Sequence, residues 1–221
     1  MVSLHDVLSQ HGSLLLLDAA GATVHVGWLR SGQPPRWLAE TEEAGTALFG
    51  LVRQLGAANT EAGAFVFCEG PGSNLGIRTA AMALRTWQAL RARRAFSYRS
   101  LELLATVRGR PDLTFIADAR KQTWYTVRGG GPNGPLEPMA RVAPEALQEP
   151  LATPAGFRQW SPLPPVAVTS IDYDVSTLWD EAASRPLLRE CPEPDAYMSE
   201  EPRYATWTPR IHQNPASPPS S

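Results

Sequence analysis

Two stretches of this chain share one pattern. Leu15-Leu16-Leu17-Asp18-Ala19-Ala20-Gly21-Ala22-Thr23-Val24-His25-Val26 can be laid beside Ile116-Ala117-Asp118-Ala119-Arg120-Lys121-Gln122-Thr123-Trp124-Tyr125-Thr126-Val127. With Asp18 on Asp118, Ala19 meets Ala119 and Thr23 meets Thr123. In each copy a short apolar run ends at the aspartate, a turn follows, and a second run begins. Runs this short and apolar predict buried strands, and the turn between them predicts a hairpin. If the pattern is a duplication, the chain must fold as two similar α/β halves. The other reading is two unrelated strand-to-turn junctions that each use Asp as a turn residue.

The intervening sequence supplies helices and a glycine loop. Ala44, Ala47, Leu48, Leu51, Val52 and Leu55 fall at helical spacing and predict an amphipathic helix. Thr41 is its expected N-cap and Gly56 its stop. Ala64–Cys68 predicts a strand, and Glu69–Gly76 a tight loop. A second helix is expected over Ile77–Leu90, with Ile77, Ala80, Ala81, Leu84 and Trp87 on its apolar face. A short helix over Leu101–Val107 would be capped by Ser100. Beyond Gly129 the prolines recur, which argues against long helices. Only a strand over Pro165–Ser170 and a short helix over Ser176–Ala183 are expected there. The resulting division is an N-terminal lobe, 1–110, a reduced Pro-rich lobe, 111–213, and a disordered tail, 214–221.

Composition narrows the function. The longest aliphatic run, Leu14–Leu17, is far short of the roughly 20 residues that span a bilayer. Met1–Gly12 lacks the pattern of a secretory signal. Cys68 and Cys191 have no metal or redox spacing, which suits a reducing cytoplasm. The four histidines, His5, His11, His25 and His212, include no i, i+4 pair, so a paired-imidazole metal site is not expected. No catalytic triad stands out, and Cys68 reads as an inert core thiol. The formal net charge is −2, whereas a free-standing nucleic-acid binder usually carries a basic excess. Arg85, Arg91, Arg93, Arg94 and Arg99 form a basic cluster. It reads either as a phosphate contact or as a solvated helix end offsetting the helix dipole.

Gly70-Pro71-Gly72-Ser73-Asn74-Leu75-Gly76-Ile77-Arg78 is neither a P-loop nor a dinucleotide-binding fingerprint. It reads as a tight strand-to-helix connection or as an anion cradle at a helix start. The segment resembles the Gly-Pro-Gly-Ser-Phe-Thr-Gly-(Leu/Val)-Arg motif of the TsaB (YeaZ) family. Leu14–Ala20, Ser100–Ala105 and Ile116–Lys121 resemble other stretches of that family in the same order. So do Pro194–Met198 and Ala205–Trp207 near the end. Departures include Ala19 for Thr, Asn74-Leu75 for Phe-Thr, and Gln122-Thr123 for Gly-Glu.

The resemblance implies a duplicated RNase H-like fold of the actin-like ATPase (ASKHA) type, an α/β fold whose two lobes have mixed sheets flanked by helices. It implies a noncatalytic scaffold for making threonylcarbamoyladenosine in tRNA, paired with a TsaD-like catalytic paralogue and joined by a TsaE-like ATPase. Alone, the chain is a candidate homodimer, and it is expected to reach tRNA indirectly. No cofactor of its own is expected. If ATP or ADP binds, the cleft candidates are Asp18, Gly70, Gly72, Ser73 and Asp118. The rival reading is a stand-alone ATPase or small-molecule kinase built on those residues. The family pairs through its two N-terminal helices, so the interface candidates are Leu48, Leu51, Ile77, Met82, Ala83 and Trp87. Burial of the second helix inside its own domain is the competing explanation for those apolar positions.

Overall fold

The computed structural model describes residues 1–56, 58–131 and 134–197. The first half contributes strands β1 (Ser13–Asp18), β2 (Val24–Arg30), β3 (Arg36–Glu40), β4 (Ala64–Gly70) and β5 (Arg94–Arg99). Its helices are α1 (Leu4–His11), α2 (Ala44–Gln54), α3 (Ala58–Glu61), α4 (Asn74–Leu90) and α5 (Ser100–Arg108). The second half contributes β6 (Arg110–Asp118), β7 (Trp124–Gly129), β8 (Ala140–Val142), β9 (Leu151–Pro154) and β10 (Val168–Ile171). Helix α6 (Val175–Ala182) and strand β11 (Arg189–Glu190) follow.

The two sheets have one topology. The first runs β3-β2-β1-β4-β5, with β11 added outside β5, and the second runs β8-β7-β6-β9-β10. In each, the first three strands in sequence pair antiparallel and the last two add in parallel. Asp18 pairs in register with His25, and Asp118 with Trp124, so both aspartates end the first strand of a hairpin. Coincidence of turn residues does not produce matching order and sense across five strands. The chain is a duplicated RNase H-like, actin-like α/β fold.

Strand β1 shows why its sequence is a leucine run and not an alternation. It is central, and both of its faces are covered. Leu15 and Leu17 join Leu48, Leu51 and Leu84 of α2 and α4 in one core. Leu14 and Leu16 join Leu101, Leu104, Val175 and Leu178 in the other. That second core continues into Phe115, Val127 and Ala152 of the second sheet. Helix α5 touches β4 and β5 of one sheet, β6 and β7 of the other, and α6. The halves therefore share apolar packing around the α5–α6 pair.

The second half is pared down. Where α2 links β3 to β4, only a 3₁₀ turn at Pro144–Ala146 lies between β8 and β9. Where α4 links β4 to β5, a helix-free connector, 155–167, joins β9 to β10. Pro162, Pro164 and Pro165 deprive that connector of N–H donors for a helix.

Several local expectations shift. Helix α4 begins at Asn74, not Ile77, because the Ser73 hydroxyl accepts from Gly76 N at 3.3 Å. Glu43, not Thr41, caps α2 through Thr46 N, while the Thr41 hydroxyl pairs with that of Thr23 at 2.9 Å. Ser100 is the first residue of α5, and its hydroxyl donates to Pro71 O at 2.6 Å. Strand β10 starts at Val168, and α6 spans Val175–Ala182. Helix α1, with its Ser3–Asp6 capping box, and strands β3 and β9 were not expected from sequence. The expected tail and the Ala205–Trp207 element lie outside the described residues. Among those described, no helix is long and apolar enough to cross a membrane.

Candidate functional site

The two strand-tip aspartates make the same local turn. Asp18 Oδ1 accepts from Ala20 N at 2.8 Å, and Asp118 Oδ1 accepts from Arg120 N at 2.6 Å. Each carboxylate thereby fixes the backbone two residues on, a turn that Asp side chains favour. Beyond that turn the two sites differ.

Asp18 is 0% exposed. Its Oδ2 accepts from Tyr98 Oη at 2.5 Å and from Tyr173 Oη at 2.8 Å. Tyr98 comes from β5, whereas Tyr173 lies between β10 and α6, so this carboxylate ties the two halves together. Tyr98 packs edge-on to Trp179 at 5.0 Å, and Tyr173 edge-on to Phe157 at 4.9 Å. Burial, and then the Asp18 charge, push both phenols well above the usual tyrosine range. The same causes in the same order raise the Cys68 thiol, which holds it protonated and unreactive.

Asp118 is half-buried. Its Oδ2 accepts from Trp160 N and Ser161 N, and its Oδ1 from the Ser161 hydroxyl at 3.2 Å. Burial on its own would raise this carboxyl. The hydrogen bonds from Ser161 N, Arg120 N, Trp160 N and the Ser161 hydroxyl together outweigh it and hold the group below the ordinary Asp value.

The glycine loop closes onto the β1–β2 turn. Ser73 N donates to Ala20 O at 2.7 Å. A Cβ on Gly72 would collide with the Ala20 carbonyl, and one on Gly76 with the Ala19 carbonyl. Asp18, Gly70, Gly72 and Ser73 are thus gathered at one end of the first sheet. The β9–β10 connector lies against the same turn: Ala22 N donates to Gly156 O at 2.9 Å, and the Phe157 ring faces Gly21. Its next residues reach Asp118. A single segment therefore spans both strand tips, and the carboxylates at those tips are occupied by protein donors.

The α2–α4 face is different in kind. Leu48, Leu51, Ile77 and Ala83 are buried in the protein's own core. Met82 is 57% exposed and Trp87 is half-buried. Two residues not anticipated from sequence join them: Leu75, 69% exposed, and Phe49, 45% exposed. Phe49 meets Trp87 edge-on at 6.4 Å, and Trp87 rests against Phe65 at 5.9 Å. Phe49, Leu75, Met82, Ala83 and Trp87 line a groove of about 430 Å³ between the two helices. Starting α4 at Asn74 would have placed Leu75 seven residues, or two turns, before Met82, and so on the same stripe. Several arginines of the cluster are engaged within the protein, and Arg91 and Arg93 both reach Thr60 O. Arg93 donates to Thr60 O and covers Phe65, Arg94 pairs with Glu190, and Arg99 pairs with Glu69 and Glu102.

Solved structures share this architecture. YeaZ from Pseudomonas aeruginosa superposes with a TM-score of 0.53 at 23% sequence identity, over 65% of this chain and 76% of that one. The fold is that of YeaZ. An uncharacterized Pseudomonas aeruginosa protein with similarity to peptidase YEAZ gives a TM-score of 0.54 at 20% identity, over 80% of this chain and 97% of that one. No family model and no curated protein matches the sequence. Within the YeaZ fold, this chain combines strand-tip carboxylates engaged by its own backbone and side-chain donors with an open, apolar helical pair.

Proposed function

We propose that this chain is a TsaB-type scaffold, pairing through α2 and α4 with a TsaD-like catalytic subunit in the machinery that places threonylcarbamoyl on tRNA adenosine. The observation that carries this reading is the exposed Phe49–Leu75–Met82–Trp87 surface on the helices that the resemblance assigns to pairing. Large apolar side chains clustered at a solvent-facing groove mark interaction sites. The state of Asp18 supports a noncatalytic role: both oxygens accept from protein donors, and none of the side chain reaches solvent. A stand-alone ATPase of this fold would need those carboxylates open to Mg-nucleotide. In the proposed complex a TsaE-like ATPase is the third component, the site of action is the cytoplasm, and the partners carry the main grip on tRNA. Without its partner, the same face would pair two copies of the chain.

The test is co-purification of the full chain with the host's TsaD-like protein, followed by a tRNA-modification assay with and without this chain. Met82→Asp places an unpaired charge in the groove. Loss of capture and of modification by a variant that remains folded is the expected outcome. Unchanged capture would remove the reading.

A further inference from the structure

The β6–β7 turn carries an unusual backbone. Arg120, Lys121 and Gln122 all have positive φ, at 62°, 51° and 56°. Left-handed conformations cost free energy for any residue with a Cβ, and here three follow one another. The surroundings hold them in place. Thr123 N and its hydroxyl both donate to Arg120 O, at 3.0 and 2.7 Å, and Ala119 N donates to Thr123 O at 2.9 Å. Arg141 on β8 donates to the Thr123 hydroxyl at 2.8 Å and to Ala119 O at 3.2 Å. Strain that is over-determined in this way points to a use for the side chains it presents.

Those side chains are cations beside an exposed aromatic ring. Trp160 is 56% exposed. The Arg158 guanidinium lies 4.0 Å from its ring centroid, and that of Arg120 lies 5.2 Å away. Asp118 anchors the platform by accepting from Trp160 N and Ser161 N. On the other side of the turn, Lys121, Thr123, Arg141 and Tyr197 line an open polar cavity of about 610 Å³, and none of the described residues that line it carries a carboxylate. Asp118 is the carboxylate at the turn, and its oxygens are already taken by four donors. The patch is locally basic on a chain whose net charge is −2.

We propose that this turn, together with the β9–β10 connector, is a binding surface for single-stranded nucleic acid. A groove of cations follows phosphates, and an exposed indole stacked with two exposed guanidiniums presents a planar cation–aromatic stack to unpaired bases; these are the two components of single-strand recognition. A lipid surface would use the cations but not the planar stack. The patch shares no residue with the α2–α4 groove, and the inference does not rest on the pairing reading. It adds a direct contact to whatever grip partners supply.

The experiment is fluorescence anisotropy of the full chain with short labelled oligonucleotides of one sequence, as single-stranded RNA, single-stranded DNA and duplex RNA, across a salt series. Phosphatidylserine vesicles form the fourth arm. Binding to single strands should weaken as salt rises. Arg120→Glu with Arg158→Glu should lower affinity by roughly tenfold or more and reduce the logarithmic salt slope by about 1.4, the value for two phosphate contacts on a single strand. Trp160→Leu should lower affinity by about 5- to 150-fold and leave that slope unchanged. If charge reversal disturbs folding, Arg120→Gln with Arg158→Gln gives the same slope change. RNA or DNA binding supports the shared chemistry, and their ratio identifies the natural source. The proposal is overturned by a wild-type chain that shows no salt-dependent binding, by variants that bind as it does, or by preference for duplex or vesicles. Capture of a TsaD-like partner by the same variants reads the other proposal separately.

Discussion

Tyr173→Phe isolates the contact that joins the two halves at Asp18. The ring stays, so its edge-on packing against Phe157 at 4.9 Å stays. What goes is one hydrogen bond of 2.8 Å to a carboxylate that is 0% exposed. A hydrogen bond to a charged group contributes about 1.5–3 kcal/mol. For a chain of this size, 1 kcal/mol moves the melting midpoint by about 2–4 °C, so the expected loss is about 3–12 °C. Tyr98→Phe should cost a similar amount through the 2.5 Å bond from β5. With both hydroxyls removed, Asp18 keeps only Ala20 N, and the carboxylate becomes a buried charge with one donor. The double variant should therefore lose more than the sum of the singles. Adding Asp18→Leu to that background removes the charge and should restore part of the stability, since replacing all partners by apolar groups can be nearly neutral. Urea unfolding followed by circular dichroism and by tryptophan fluorescence measures each term. Single losses below about 0.5 kcal/mol, the range of ordinary surface changes, would refute the latch.

Other outcomes follow from the same geometry. Both phenols have folded-state pKa values raised by burial and by Asp18, so their contribution is complete below the unfolded tyrosine pKa of about 10 and is lost as pH rises from there through the folded value. The Tyr98→Phe, Tyr173→Phe variant should show a shallower alkaline limb in its stability profile, with Cys68 and Cys191, whose thiols burial also raises, contributing to the slope that remains. Asp118 is depressed, so its contribution is present above the unfolded Asp pKa of about 3.9 and is lost as pH falls through the folded value; Asp118→Asn should flatten the acid limb of the same profile. Gly76→Ala would help an ordinary helix, but here the new Cβ meets the Ala19 carbonyl, and a net loss of about 1–3 kcal/mol is expected in urea unfolding. Met82 is 57% exposed, so Met82→Asp should change unfolding free energy by no more than about 0.5 kcal/mol while weakening capture of a TsaD-like protein at least tenfold.

Sequence alone determined what is local or periodic. The equivalence of Asp18 and Asp118 was legible because an apolar strand, an aspartate that bonds the backbone two residues ahead and a return strand are all written within a dozen residues. The inward face of α4 was legible because Ile77, Ala80 and Leu84 recur at helical spacing. Tertiary structure decided which of these features face solvent and which are closed. Asp18 is sealed by tyrosines 80 and 155 residues away, and no short-range pattern connects them to it. The outer stripe of α4 depended on where the helix starts, which a single hydrogen bond from Gly76 N to the Ser73 hydroxyl settled. The leucine run of β1 carried no sign of which residue faces which core, because a strand covered on both sides has no polar face to mark the register. Pairing of distant segments is where the chain's conformational entropy is spent, and it leaves the weakest trace in the order of the residues.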